Sequence, residues 1–340
     1  MQAGGDMGVS PAGIFDMMLA YQRTAALKTA VELGVFGAVG QGANDVASIA
    51  KKCSSSERGI RILCDFLAIH GLLTKENGQY RNSPTSAVFL DPQSPACMGS
   101  ATQFLGNPMM IDEFQRLTDI VRKGHTLLPG QGSVEPENPV WVQFAESMAP
   151  LMAGVAGPFA EVATQGKSGP MKVLDIAAGH GLFGINVAMR NPEARITAVD
   201  WRKVLEVAER NARKAGVESR YELLPGSAFE VEFGGPYDVV LLTNFLHHFD
   251  VPTCTSLLKK VRAATKPGGS VAILEFVPND DRISPPPAAA FSMTMLSSTP
   301  AGDAYTFSQL QSMLTEAGFN GAAHVPLGPF PNTAVVGTAG

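Results

Sequence analysis

The chain has 340 residues, 45% of them hydrophobic, and a formal net charge of −5, enough length and apolar content for two domains with separate cores. A pI near 5.7 without long runs of Lys and Arg argues against a surface built for phosphate backbones, so no nucleic-acid partner is expected. No apolar stretch reaches the ~18 residues of a membrane span, no basic region precedes an apolar core at the N-terminus, and Cys53, Cys64, Cys97 and Cys254 lack C-x-x-C spacing. No membrane partner, a cytoplasmic location by default and no metal site follow as expectations.

Residues 1–11 are small and polar and read as a loose start. Over residues 12–39 apolar positions such as Ile14, Met17, Met18, Tyr21, Leu27 and Leu33 recur at helical spacing, with Gly34 as the stop between two helices. Residues 45–50 and 56–67 read as short amphipathic helices around a Ser-rich turn. Asn77-Gly78, between two short strand-like runs, signals a hairpin. Together these describe a winged helix. Arg58, Arg61 and Arg81 are its only well-placed basic residues among many apolar ones, which favours a packing or dimer surface over a DNA-binding one.

A connector rich in Pro and Gly follows, with helical patches at residues 108–121 and 140–163. The second patch carries Trp141, Phe144, Met148, Met152 and Phe159 on roughly one face, a pattern most often met in a core. From about residue 167, strands near residues 173–175, 196–199, 221–224, 239–242, 271–276, 322–325 and 333–337 alternate with helices. That alternation predicts an α/β fold with a mainly parallel sheet covered on both faces and a ligand at the carboxyl ends of its strands. The expected domains are residues 1–100, a connector at 101–166 and a cofactor-binding domain at 167–340.

Residues 173–184 organise the rest. An apolar run ends in Asp175, small residues turn through Gly179 and Gly181, and a helix begins. Such a turn is expected to bring backbone N–H groups and the positive end of a helix dipole against a ligand. Gly179, Gly181 and Gly184 also satisfy the G-x-G-x-x-G pattern of dinucleotide folds. Asp175 argues against that reading, because a carboxylate there crowds a pyrophosphate but attracts an amine. Asp200, ending the next strand, is placed to accept from both hydroxyls of a ribose. An amine near one acid and a ribose on the other describe S-adenosyl-L-methionine.

Asp175-x-x-x-Gly179-x-Gly181, then Val199-Asp200, then residues 257–269 and the strand 271–275 occur in the order that resembles class I S-adenosylmethionine-dependent methyltransferases. Within them, residues 245–250 (Phe-Leu-His-His-Phe-Asp) and the helical N-terminal region are similar to small-molecule O-methyltransferases related to the hydroxyindole, caffeate and flavonoid enzymes. The resemblance covers nearly the whole chain. It implies a Rossmann-like domain with a seven-stranded sheet and an N-terminal winged-helix domain through which a homodimer forms. It also implies that the helix at 140–163 lies over the acceptor pocket, with Phe144, Met148 and Met152 as substrate contacts. A second pocket-lining helix is implied after Pro285-Pro286-Pro287, with Phe291 and Met293 as contacts. On the cofactor side it implies Ser227, where the family often has an acid, Ala228 and Phe229 near the adenine, and Thr243 and Asn244 at the fourth strand's end. Trp201 either covers the adenine or fills the sheet edge.

Methyl transfer to a phenol, whose pKa lies near ~10, needs a base in line with the sulfonium, and histidine with a pKa near ~6.5 suits neutral pH. His247 matches the family's base by position, while His248 stands where many relatives have Asp and is expected to touch substrate. Glu275, ending the next strand, matches the acid that orients the base. A third family acid is replaced by Ala304, with Asp303 beside it as a candidate substitute. The expected reaction is O-methylation of a small aromatic acceptor. Alternatives are methylation at carbon or nitrogen, a diverted chemistry, a cofactor-sensing winged-helix regulator and, last, an NAD-dependent oxidoreductase.

Overall fold

The apolar spacing at the start of the chain folds as three helices rather than two: α1 (Ala12–Met18), α2 (Ala20–Glu32) and α3 (Val35–Gly40). The extra break falls at Leu19, and Gly34 sits at φ 72°, a left-handed backbone open to a residue without Cβ. This computed structural model describes residues 9–340, so most of the loose start expected at residues 1–11 lies outside the described residues.

Capping side chains start the next two helices. The Asp45 carboxylate accepts the Ser48 N–H at 2.9 Å while the Ser48 hydroxyl accepts the Asp45 N–H, opening α4 (Val46–Lys52). Ser56 Oγ accepts the Gly59 N–H at 3.1 Å and opens α5 (Glu57–Ile69). The expected hairpin pairs β1 (Leu73–Glu76) with β2 (Gln79–Asn82), and Asn77 and Gly78 both take positive φ, the turn whose twist matches that of two antiparallel strands. Helices α6 (Pro84–Phe89) and α7 (Ala101–Leu105) follow. Phe36, Ile49, Ile60, Leu67 and Tyr80 form the buried centre of this part. The chain divides into two compact units, Met1–Asn107 and Pro108–Gly340.

The second unit begins with α8 (Pro108–Gln115), α9 (Leu117–Lys123) and α10 (Val140–Ala163), the last spanning the residues its periodicity predicts. Strands and helices then alternate: β3 (Met171–Ile176), α11 (Leu182–Arg190), β4 (Ala194–Asp200), α12 (Arg202–Lys214), β5 (Tyr221–Pro225), β6 (Tyr237–Thr243), α13 (Val251–Ala264) and β7 (Thr265–Phe276). After α14 (Pro286–Ser298) and α15 (Phe307–Glu316), β8 (Phe319–Pro326) and β9 (Asn332–Ala339) close the chain. The seven strands lie in the order β5-β4-β3-β6-β7-β9-β8, the first five parallel and β9 antiparallel to both neighbours. Because helices cover both faces, β3 and β6 are buried almost throughout and read as continuous apolar runs. The order reverses between β3 and β6, so the carboxyl ends of β3, β4, β6 and β7 open on one crevice. Among the described residues no helix is long and apolar enough to cross a membrane.

Removing the Ser56 hydroxyl leaves an α5 amide without its cap. Ser56→Ala is expected to lower the free energy of unfolding by about 1 kcal/mol in a urea titration, with the slope unchanged.

Candidate active site

Three residues of positive φ, Ala177, Gly179 and Gly181, take the chain from β3 into α11. The two acids expected beside a cofactor hold this turn from below and beside it. Asp175 is fully buried and its Oδ2 accepts the Gly184 N–H at 3.0 Å. Asp200 Oδ2 accepts the Gly179 N–H at 2.8 Å, and its Oδ1 accepts the Trp201 N–H at 2.7 Å. A Cβ on Gly184 would lie 2.7 Å from the Asp175 carboxylate and 2.8 Å from Ile196, and one on Gly181 would meet Tyr221 and Ala208 below 3.0 Å. Those two glycines therefore serve close packing of α11 on the sheet. Gly179 differs, since the nearest side-chain atom to a Cβ there is on Phe144, at 3.7 Å. Of the three glycines, Gly179 alone leaves the space that the close ligand approach expected of this turn needs.

Burial pushes the Asp175 carboxyl up to about 7 and the Asp200 carboxyl up to about 6, with the Asp200 charge a further upward push on Asp175. Asp175 Oδ1 has no partner. An unpaired carboxylate oxygen, a second acid with lone pairs to spare and an open glycine fit a cofactor carrying an amine, a sulfonium and a ribose.

At the far side of the crevice, β6 ends in buried Thr243, and Asn244 turns the chain at φ 51° with its N–H on Leu274 O and its Oδ1 accepting from Asn332. A short turn, Leu246–His248, follows. Glu275 engages it at three points: Oε1 accepts the Phe245 N–H at 2.9 Å and the His247 N–H at 3.3 Å, and Oε2 lies 2.5 Å from His247 Nδ1. Both side chains are buried. His247 Nε2 carries no hydrogen bond among the described residues. Asp303 does not reach this pair: its N–H bonds the His247 carbonyl, but its carboxylate takes Arg282 at 2.8 Å and the Ala304 N–H, so it does not replace the missing third acid. His248 is buried against the edge of Trp141, with ring centroids 5.0 Å apart, and its Nδ1 is unpaired. Burial first, then the neighbouring His247, hold it well below the usual histidine range, so it is neutral.

The α10 stripe forms an aromatic wall. Trp141 meets Phe144 at 5.8 Å, Phe144 stacks on His180 at 6.2 Å and 16°, and His180 leans on Phe183 at 5.5 Å. Met148 and Met152 are buried on the same stripe, while Phe159 packs edge-on against Phe183 in the core. Trp201 joins Trp141 and Val142 around Ala145, Val204 and Val207, filling the space between α10 and α12. Beyond β5, Ser227 Oγ accepts the Phe229 N–H, Ala228 is buried, and exposed Phe229 meets Phe245 and Phe249 at 6.1 and 4.9 Å. Phe291 presents an edge to His247 at 4.8 Å and stacks on Phe276 at 4.0 Å. Met293, two residues further along α14, is exposed and is not brought to this cluster. Sequence reasoning assigned no site role to His180, Phe245, Phe249 or Phe276; His180, flanked by two glycines, and Phe245 and Phe249, inside the 245–250 motif, carried a local signal.

Chemistry gathered at the strand ends of a sheet in this order defines a class I methyltransferase. Residues 160–320 match the model of an O-methyltransferase domain, and residues 15–92 match that of an O-methyltransferase dimerisation domain. A solved Nostoc punctiforme protein, provisionally named an O-methyltransferase, is 51% identical, with 97% of this chain and 100% of that one covered and a TM-score of 0.93. The 3-hydroxy-5-methyl-1-naphthoate 3-O-methyltransferase of Streptomyces sahachiroi is 27% identical over 329 residues, 94% of this chain and 93% of that protein. Human N-acetylserotonin methyltransferase, solved in complex with S-adenosylmethionine, shares the fold at 22% identity and a TM-score of 0.85, with 99% and 100% of the two chains covered. The chain belongs to the O-methyltransferase family and is an S-adenosylmethionine-dependent enzyme.

Asp175 makes stability depend on pH. Its native carboxyl, raised to about 7, holds a proton that the unfolded chain releases near ~3.9, so stability falls as pH rises between those values and levels above them. Melting temperatures from pH 5 to 8 are expected to decline in the native protein and to decline by several degrees less in Asp175→Asn.

Proposed function

We propose that the enzyme methylates a hydroxyl of a small, apolar aromatic acceptor, with His247 as the base that takes the hydroxyl proton at Nε2. The observation that carries this reading is the 2.5 Å contact between His247 Nδ1 and Glu275 Oε2. A carboxylate on one ring nitrogen fixes the tautomer, leaves the other nitrogen basic, and stabilises the imidazolium once the proton arrives. Glu275 is itself held by two backbone N–H groups, so the ring it orients has little freedom. Trp141, Phe144 and Phe291 supply flat apolar surface, Met148 and Met152 fill irregular space on the same helix, and neutral His248 adds a polar edge. The relative that acts on a hydroxynaphthoate supports an acceptor of this kind.

S-adenosylmethionine supplies a methyl group already activated on a sulfonium, which leaves alignment and proton removal to the protein. Asp200 takes the ribose hydroxyls, Asp175 faces the amine end from beneath Gly179 and Gly181, and Phe229 with Ala228 and Ser227 borders the adenine. Trp201 closes the α12 side, and Thr243 and Asn244 bound the seat at the end of β6. In this reading residues 1–100 serve dimerisation, 101–166 contribute to the acceptor wall through α10, and 167–340 bind the cofactor.

Transfer of labelled methyl to a panel of naphthols, hydroxyindoles, catechols and polyketide phenols is expected to give ether products. His247→Ala should lower the rate about 10²–10⁴-fold while calorimetric binding of S-adenosylmethionine persists. Label on carbon or nitrogen, or an undiminished rate in His247→Ala, would overturn the assignment.

The match of residues 15–92 to a dimerisation domain and the exposure of Ile14, Phe15, Met17 and Met18 on α1 support a homodimer through the N-terminal helices. Sedimentation should show a dimer in the native protein and a monomer in the double variant Phe15→Asp, Met18→Asp.

A further inference from the structure

Most of the amides at the start of α11 are already in use. The Ala178 N–H bonds Val199 O, Gly179 bonds Asp200, Gly181 bonds Ala178 O, Leu182 bonds His180 Nδ1 at 3.2 Å, Gly184 bonds Asp175, and Ile185 bonds Gly181 O. Two carboxylates thus occupy the positive end of this helix. S-adenosylmethionine carries one negative group, the carboxylate of its amino-acid end, and the electropositive seat a glycine turn normally offers an anion is largely taken here.

His180 stands beside that seat. Its ring is 98% buried, given its exposure of 2%, and is clamped between Phe144 and Phe183. Nδ1 accepts the Leu182 N–H, which places the ring proton on Nε2. Nε2 has no partner among the described residues, yet it is not among the atoms sealed from solvent without one, as His248 Nδ1 is. Burial pulls the ring down to about 4, so it stays neutral at physiological pH and the tautomer is stable. The next residue back, Gly179, is the open position of the turn and donates to Asp200, the ribose acid.

We propose that the Nε2–H of His180 donates to the amino-acid carboxylate of S-adenosylmethionine and so fixes the methionine end of the cofactor over Gly179. The adenosyl end is anchored at Asp200; His180 supplies the second anchor, and the two define the line on which the sulfonium lies. A neutral donor keeps this bond constant across pH 6–9, where a lysine or a charged histidine elsewhere would titrate.

The test is calorimetric, needs no acceptor, and compares S-adenosylmethionine with its decarboxylated analogue. His180→Asn retains an acceptor for the Leu182 N–H without a donor at the Nε2 position, and His180→Phe retains the ring between its aromatic neighbours without either nitrogen. In both variants the affinity for S-adenosylmethionine is expected to fall about tenfold or more, the scale of a hydrogen bond to a charged acceptor, with the decarboxylated analogue bound as in the native protein. Equal weakening of both ligands would assign His180 to the turn alone. Undiminished binding of S-adenosylmethionine would place the carboxylate on another group. Either result overturns the proposal.

Discussion

A single buried carboxylate holds the reactive half of the crevice together. Glu275 accepts two backbone amides of the turn after β6 and the ring nitrogen of His247, so backbone path and side-chain orientation there depend on one group. Charge in a buried place is tolerated when each oxygen has partners, and here each does. The cross-strand register sets the height at which this happens: Thr243 lies opposite Leu274, which places Glu275 one step beyond the end of β6, level with the turn it receives. From the far side, the Asp303 N–H on the His247 carbonyl and the close approach of Gly302 to that oxygen leave the turn little room to shift.

Helix α10 ties that half to the other. Trp141 lies against His248 next to His247, and one turn on Phe144 lies over His180 and close to Gly179. Aromatic edges and faces meeting at 4.5–7 Å are favourable beyond their buried area. The seam continues through Phe183 to Phe159 in the core. A displacement of α10 would reach both the glycine turn and the His247–His248 turn, which explains why a stripe that reads as ordinary core packing also borders the crevice.

The alternation of strands and helices, the sheet's parallel part, the hairpin at Asn77-Gly78 and the pairing of His247 with Glu275 were all legible in the sequence. The first three rest on local periodicity or turn chemistry, which are short-range properties, and the last on the resemblance to a family whose base and acid sit at these strand ends. What was hidden depends on which atoms approach in three dimensions. Asp303 stands next to the place of the missing acid, yet Arg282, 21 positions away, takes its carboxylate. Met293 has the same apolar character as Phe291, but two steps along a helix turn it to another face. The break at Leu19 has neither Gly nor Pro to announce it. His180 was visible between its glycines, but the accounting of amides that gives it meaning requires coordinates.

The glycines of the turn carry a lesson about how one architecture changes cargo. Gly181 and Gly184 are required by contacts inside the protein, with Tyr221, Ala208, Ile196 and the Asp175 carboxylate, so their spacing reports how tightly a helix lies on a sheet and is silent about what the crevice holds. The acids beside them, Asp175 and Asp200, make no such packing demand: each accepts a backbone N–H of the turn and keeps lone pairs besides. An engineer who wished to redirect this scaffold toward a different cargo would leave the glycine spacing untouched, because that spacing is the frame that keeps the helix on the sheet whatever the crevice holds.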